Sequence, residues 1–293
     1  MSIVKCDIIR RGLSKISTDD FGAIRDMQHL LKRNREEAEY MDEKVTHGQL
    51  LEVLCAFDKL CSKHNIRYSL HGGTLLGAVR EHGFIPWDDD ADVIMTRADF
   101  QCLESVLKDP ESPYYIRGNI KKQFCHMENP SAWVDIFICD YISESSFPRK
   151  IKLFLLTVLD IMYRDRESKK LSNLQKYSKL KQLLYKMVFL VGQLFPKKWI
   201  AYCYTQVSEK WLLGNKEDMF RSNDQYIGRK LVFPAEWMKR YKYVPFENQT
   251  LSVCSESHGL LTQSYGEDYM TPVREDWNAR VHNLVRSEQK IEL

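Results

Sequence analysis

Four carboxylates, Asp88, Asp89, Asp90 and Asp92, fall within five residues of the segment IPWDDDADVIM, Ile85–Met95. Acids so crowded repel one another unless a cation or solvent absorbs the charge. In an extended chain residues two apart share a face, so Asp90 and Asp92 project together while Ala91 and Val93 turn to the core. Two carboxylates converging at a strand end are hard oxygen ligands, suited to Mg²⁺ with Mn²⁺ as the nearest substitute. A third acid, Asp135, stands inside the apolar run AWVDIFIC, Ala132–Cys139. An acid there is costly unless paired or metal-bound. If its strand lies beside the one opening at Asp90, three carboxylates converge in an arrangement that can orient metal and hydroxyl for phosphoryl transfer. The other reading of Asp135 is a bond to buried backbone or to an arginine. For Asp88 and Asp89 the other reading is a solvated turn after Pro86, and for Asp89 alone it is preferred.

Upstream lies HGGTLLGAVR, in which Gly72, Gly73 and Gly77 permit close backbone approach. Other aspartate- and glycine-rich motifs fit worse. An EF-hand loop opening at Asp88 needs Gly where Val93 stands and Glu where Asp99 stands. A P-loop needs Lys-Ser/Thr after Gly77, where the chain has Ala78-Val79, and GxGxxG is absent. A phosphatase-type nucleophilic aspartate would follow its strand, whereas here the apolar residues come after the acids.

Gly72-Gly73 followed by Asp90-Ala91-Asp92-Val93, with a third acid on a later strand, resembles the nucleotidyltransferase-fold signature. The longer run YSLHGGTLLGAVREHGFIPWDDDADVIMTRADF (Tyr68–Phe100) is similar to the core motif of the LicD family, phosphocholine transferases and their relatives, which include the fukutin-related proteins. The likeness spans roughly residues 48–140 and returns at LTQSYGEDYMTPV, Leu261–Val273. The resemblance implies Mg²⁺-dependent transfer of a phospho-substituent, phosphocholine foremost, from a CDP-linked donor such as CDP-choline. The acceptor would be a hydroxyl of a cell-surface glycan or its lipid-linked precursor, in lipopolysaccharide or teichoic acid synthesis. Carried over by position, Asp90 and Asp92 hold the metal. Asp135 completes the triad and helps deprotonate the hydroxyl, and Asp88 supports it. Gly72, Gly73 and Thr74 present N–H groups, and for Thr74 a hydroxyl, to donor phosphate. The motif leaves open which phosphorus is attacked, and the donor could instead be CDP-ethanolamine or a CDP-polyol. A non-catalytic nucleotide- or glycan-binding relative is disfavoured by the three intact acids, and a metal-dependent phosphatase is the remaining alternative.

Further candidates flank the motif. Arg80 could clamp a phosphate or form a surface salt bridge. His71 and His82 could bond phosphate or only their loop. Trp87 could stack on a base or sugar, or pack beside Pro86. Tyr265, Tyr269 and Trp277 could wall a quaternary ammonium head group, or serve the core.

The elements that must position these groups follow from periodicity. His47–His64 is a helix, Arg67–Leu70 a short strand into a glycine turn, and Thr74–Arg80 a helical turn or short helix. Asp90–Met95 is a strand and Asp99–Leu107 a helix stopped by Asp109-Pro110. Tyr114–Ile116, Lys122–His126 and Ala132–Cys139 are strands. Residues 149–211 lack strand character and predict two or three long helices. Tyr226–Val232, Leu251–Val253 and a C-terminal helical tail follow. The lead-in over 1–20 is irregular or β-type, with a helix over Gly22–Tyr40. The expected class is α+β: a nucleotidyltransferase-like mixed sheet flanked by helices, with a helical insertion. The expected division is a lead-in and helix over 1–47, a catalytic core over 48–145, a basic helical subdomain over 146–222, and a segment completing the site over 223–293.

Across 293 residues the formal net charge of +3 points to no nucleic acid or other polyanionic partner. Residues 148–200 nevertheless carry thirteen lysines and arginines against three acids, which suggests a basic face and a peripheral membrane contact. The eight cysteines form no CxxC or zinc-ligand spacing and read as reduced residues of a cytoplasmic protein, peripheral on the inner face of the membrane. The N-terminal MSIVKCDIIRRG shows no signal-peptide core, and the longest apolar stretch, Met187–Phe195, is too short to span a bilayer.

Overall fold

The computed structural model of the protein describes residues 46–164, 178–210 and 215–272. The lead-in and helix expected before residue 46, the C-terminal helical tail and Trp277 lie outside the described residues.

A mixed sheet flanked by helices carries the site. Helix α1 (His47–Lys63) opens on a capping box: Thr46 accepts from the Gln49 N–H while the Gln49 side chain returns to the Thr46 N–H. Its inward stripe, Leu50, Val53, Leu54, Phe57 and Cys61, is buried. Strand β1 (Ser69–Leu70) leads into α2 (Gly72–Arg80), followed by β2 (Asp92–Thr96), α3 (Arg97–Val106), β3 (Tyr114–Arg117), β4 (Lys122–His126) and β5 (Trp133–Ile142). The expected glycine turn is thus the first turn of a helix, and β2 begins two residues later than expected because Asp90 and Ala91 precede the ladder.

The strand order is β1-β2-β5-β4-β3, with β2 and β5 parallel and the other neighbours antiparallel. A parallel pair needs a long crossover, here supplied by α3, β3 and β4. Val93, Ile94, Met95, Val134, Ile136 and Ile138 are all buried, as strands covered on both faces require.

Three helices follow, as residues 149–211 predict: α4 (Ser146–Tyr163), α5 (Lys179–Gly192) and α6 (Lys197–Lys210). They form a helical subdomain in which Leu156 of α4 and Ala201 and Tyr204 of α6 share a core with Ile142 and Phe220. Strand β6 (Asp218–Arg221), beyond the span 149–211 expected to be helical, returns to the sheet and pairs antiparallel with the second half of β5. Beyond β6 come a 3-10 turn at Gly228–Lys230, β7 (Val232–Pro234) on the edge of β6, and a hairpin of β8 (Tyr241–Phe246) with β9 (Gln249–Cys254). The last described helix is α7 (Ser257–Tyr265).

Candidate active site

The site grows from the parallel pairing of β2 with β5. Their register sets Asp92 directly beside Asp135, and the Asp135 N–H donates to the Ala91 carbonyl at 2.8 Å. Asp90, one residue before that carbonyl, swings over the same strand ends, so one oxygen from each of Asp90, Asp92 and Asp135 lies within 4.8 Å of the others. Asp88, Asp89 and Asp90 form a second group of the same closeness. Both groups could hold a divalent cation. Their donors are all oxygen, and the buried Asp88 Oδ2 has no hydrogen-bond partner, which fits a hard ion.

The acidic loop is fixed from several sides. His47 Nε2 meets the Asp88 carbonyl at 2.7 Å, and the Asp88 N–H donates to Ile85. Glu247, at the tip of the β8–β9 hairpin, accepts from the Phe84 N–H, while its own N–H donates to His82. The glycines of α2 explain the closeness of the carboxylates. Gly72 has φ +55°, and a Cβ there would collide with the Asp92 carboxylate; a Cβ on Gly73 would collide with that of Asp88. Gly77 lets the helix rest on the Gly83 backbone.

Asp88, Asp90, Asp92 and Asp135 line a cavity of about 270 Å³ together with His71, Gly72 and Gly73. Burial, and then the neighbouring acids, favour the protonated forms of Asp88, Asp90 and Asp92. The Asp88 carboxyl rises to about 6, through burial and then the Asp89 charge. Asp90 rises to about 7, through burial and then Asp88 and Asp135. Asp92 is held well above the usual carboxylate range by burial and then by Asp90 and Asp135. Asp135 is held on both oxygens, accepting from Gln123 Nε2 at 2.9 Å and from Trp133 Nε1 at 3.3 Å.

The other expected residues divide into those at the cavity and those away from it. His71 lines it, but its Nε2 accepts from the Arg221 guanidinium; burial and that cation keep the imidazole neutral, so the proton sits on Nδ1. Thr74 does not line the cavity. It is buried, and its hydroxyl accepts from the Asp92 N–H at 2.8 Å, so it positions the backbone of the acid. Arg80 lies at the far end of α2, bonded to Glu81 at 2.7 Å and to the Tyr269 carbonyl, outside the cavity lining. Trp87 is half-exposed and also outside it. Tyr265, at the end of α7, lines the cavity, and burial followed by the Asp92 charge raises its phenol. Tyr269 instead turns its hydroxyl to His258.

Sequence reasoning missed the opposite wall. Lys121 and Lys122 precede or open β4, and Arg221, Asn223, Asp224 and Gln225 follow from the end of β6. Asn223 substitutes for a strand residue, accepting from the Ile138 N–H and donating to the Ile136 carbonyl, both at 2.7 Å. Arg221 pairs with Asp224 at 3.1 Å. The signal available was the polar run Arg221-Ser222-Asn223-Asp224-Gln225 directly after an apolar strand residue.

Parallel strands presenting converging acids, with a glycine-based helix start beneath them, define a nucleotidyltransferase-type catalytic domain. Residues 65–153 match the family described as LicD/FKTN/FKRP, nucleotidyltransferase domain. The chain is 30% identical over 260 residues to the lipopolysaccharide cholinephosphotransferase LicD of Haemophilus influenzae, covering 77% of this chain and 91% of that protein. It is also 39% identical over 94 residues to an uncharacterised protein of Rickettsia prowazekii, covering 30% of this chain and 32% of the relative. The chain belongs to the LicD family, and it is a phosphotransferase of the nucleotidyltransferase-fold type.

Proposed function

We propose that the protein transfers phosphocholine from CDP-choline to a hydroxyl of a cell-surface glycan or its lipid-linked precursor, with Mg²⁺ or Mn²⁺ as cofactor. The observation that carries this reading is the convergence of Asp90, Asp92 and Asp135 in one cavity. Of the cations lining that cavity, Lys122 pairs with Glu104 and Arg221 with Asp224, and Lys121 stands beside them. The donor identity is supported by the activity that the Haemophilus influenzae relative's name states.

In this reading Asp90, Asp92 and Asp135 hold the metal and Asp88 supports it. When bound, the ion supplies Lewis-acid polarisation of the donor phosphates. Asp135, fixed by Gln123 and Trp133, takes the proton of the acceptor hydroxyl. The N–H groups of Gly72 and Gly73, unpaired in the first turn of α2, face the donor phosphate. The acceptor oxygen forms its bond to the choline-side phosphorus, the bond from that phosphorus to the bridging oxygen breaks, and CMP leaves. Tyr265 and Phe137 are the aromatic groups of the cavity that would face the head group.

A second reading keeps the fold and changes the CDP-linked head group to ethanolamine or a polyol. It is favoured by Tyr269, which is turned to His258 and leaves a quaternary ammonium with a smaller aromatic wall. The seven described cysteines are all free, which supports placing the reaction in the cytoplasm at the inner face of the membrane.

The test is a panel of CDP-linked donors with Mg²⁺, following CMP release with and without glycan acceptors. Release that is fastest from CDP-choline is the expected result. Release only from another donor selects the second reading, and release from none of them overturns both.

A further inference from the structure

We infer that the outward face of α5 rests on an anionic lipid surface and docks the enzyme to a membrane without crossing it. Leu180, Leu183, Leu184, Met187 and Leu190 recur at helical spacing on one face of α5, and every one is more than half exposed. The stripe runs on into Leu194, 79% exposed. The opposite face is clamped. Phe189 is buried, and Gly192 packs so closely on the backbone of Met162 in α4 that a Cβ would collide with it. Lys197 and Gln193 close the same joint by donating to the carbonyl of Arg164. The apolar stripe is therefore held outward by fixed packing.

Charge selects the occupant. Lys181 borders the stripe on one side, and Lys179 and Lys186 border it on the other. Between Ser168 and Ser208 the chain has eight lysines and no acid. A second copy of this face would set lysine rims against lysine rims, whereas anionic headgroups neutralise them and the acyl boundary receives the leucines. A nucleic acid would answer the lysines but leave the leucines in water. Trp199 stacks on Phe195 with ring centroids 5.0 Å apart, and both are exposed beside the end of the stripe, where amphipathic rings favour the headgroup level. No described helix is long and apolar enough to cross a membrane, so the helix lies in the plane of the interface.

The subdomain also reaches the catalytic cavity. Asp160 and Tyr163 of α4 line a second cavity of about 230 Å³, which shares Lys121, Asn223, Asp224 and Gln225 with the first. Resting on the proposed function, this arrangement lets a lipid-linked acceptor approach from the docked side. The docking itself stands apart from that reading.

The experiment is flotation of the purified full chain with vesicles of equimolar phosphatidylglycerol and phosphatidylcholine, against vesicles of phosphatidylcholine alone. The wild type floats with the anionic vesicles, and high salt weakens the binding. The triple variant Leu183→Gln, Met187→Gln, Leu190→Gln binds about tenfold or more weakly while its melting temperature stays that of wild type, because all three side chains are solvent-facing. The double variant Lys181→Glu, Lys186→Glu loses the preference for anionic vesicles. Wild type that stays with the unbound fraction overturns the inference, as does a triple variant that floats equally well. A wild-type dimer that ignores vesicles, and that the triple variant dissolves, assigns the face to a second copy instead. Because flotation needs no donor, a failed transferase assay leaves this result readable.

Discussion

Strand β5 carries an acid near each end, Asp140 buried and Asp135 half-buried, and the two have opposite surroundings. Asp140, near its C-terminal end, accepts from Arg97 through both oxygens at 3.0 and 2.5 Å, and the same guanidinium reaches the Ser222 hydroxyl. Asp135, near its N-terminal end, accepts from the neutral groups of Gln123 and Trp133, and Asp90 and Asp92 crowd beside it. Burial by itself therefore does not mark a site. At the Asp140 end the chain balances its own charge, and the result is structure. At the Asp135 end it leaves the charge for something else to balance, and the result is a place for a cation. The contrast makes the two ends separable by substitution.

The largest effect is expected at the unbalanced end. Asp92→Asn lowers turnover by about 10³-fold or more, roughly 4 kcal/mol of barrier. The same change raises the melting temperature in the absence of divalent cations at pH 8, since it removes one of several repelling charges. Turnover and thermal melting measured on the same preparation check both parts. Unchanged turnover would remove the metal assignment, and a lowered melting temperature would show that Asp92 is a structural acid like Asp140.

At the balanced end the expectation reverses. Asp140→Ala leaves the Arg97 guanidinium buried and unpaired, costing about 3–5 kcal/mol of stability, while the activity of the molecules that remain folded stays near wild type. Denaturant unfolding beside a turnover assay normalised to folded protein separates these. A full loss of activity at undiminished stability would place Asp140 in the chemistry and erase the distinction between the ends.

The same contrast sets what a sequence can disclose. The alternation around Asp92 and the apolar run around Asp135 expose two strands with misplaced acids, because side-chain direction in a strand is a local, period-two property. That Asp92 stands beside Asp135 depends on a parallel register spanning more than forty residues, and only the LicD-like motif hinted at it. Arg221 and Asn223 stand in a polar run, but nothing local places that run at the site, since their partners His71, Ile136 and Ile138 lie far away in the chain. Thr74 shows the same dependence on distance along the chain: its hydroxyl accepts from the Asp92 N–H, a contact no local pattern announces. The helices of residues 146–210 were legible as helices, whereas strand β6 behind them is four residues long and takes its place only from pairing with β5.

A third difference between the ends is their response to pH and to metal. Asp88 and Asp90 move from an ordinary 3.8 up to about 6 and about 7, so the folded chain keeps protons that the unfolded chain has released. Their contribution to stability is present below about pH 4 and is lost as pH rises through 6 and 7. Mg²⁺ competes with those protons. It should raise the melting temperature strongly at pH 8 and little at pH 5, reaching about 2.7 kcal/mol at a hundredfold excess over its dissociation constant. Calorimetry with and without Mg²⁺ at the two pH values reads this directly, and the Asp92→Asn variant should lose most of the gain. An equal gain at both pH values would mean that the ion binds elsewhere.

The smallest effect sharpens the site itself. Asp90 belongs to both carboxylate groups, so the cation could centre on Asp90, Asp92 and Asp135 or shift toward Asp88 and Asp89. Asp89 is exposed, while Asp92 is half-buried and held by the Thr74 hydroxyl through its own N–H. A ligand on the solvent side loses less to water when it is removed, and the β2–β5 register fixes the inner group more tightly. Asp89→Asn should therefore change turnover by no more than about twofold, or roughly 0.4 kcal/mol. It should also lower the proton affinity of Asp88 and Asp90, because the Asp89 charge raises both, and so move the lower limb of the pH–rate profile slightly toward acid. If Asp89→Asn instead matches Asp92→Asn in severity, the cation sits in the outer group, and Asp135 returns to the status of Asp140: a buried acid whose neighbours were built to hold it.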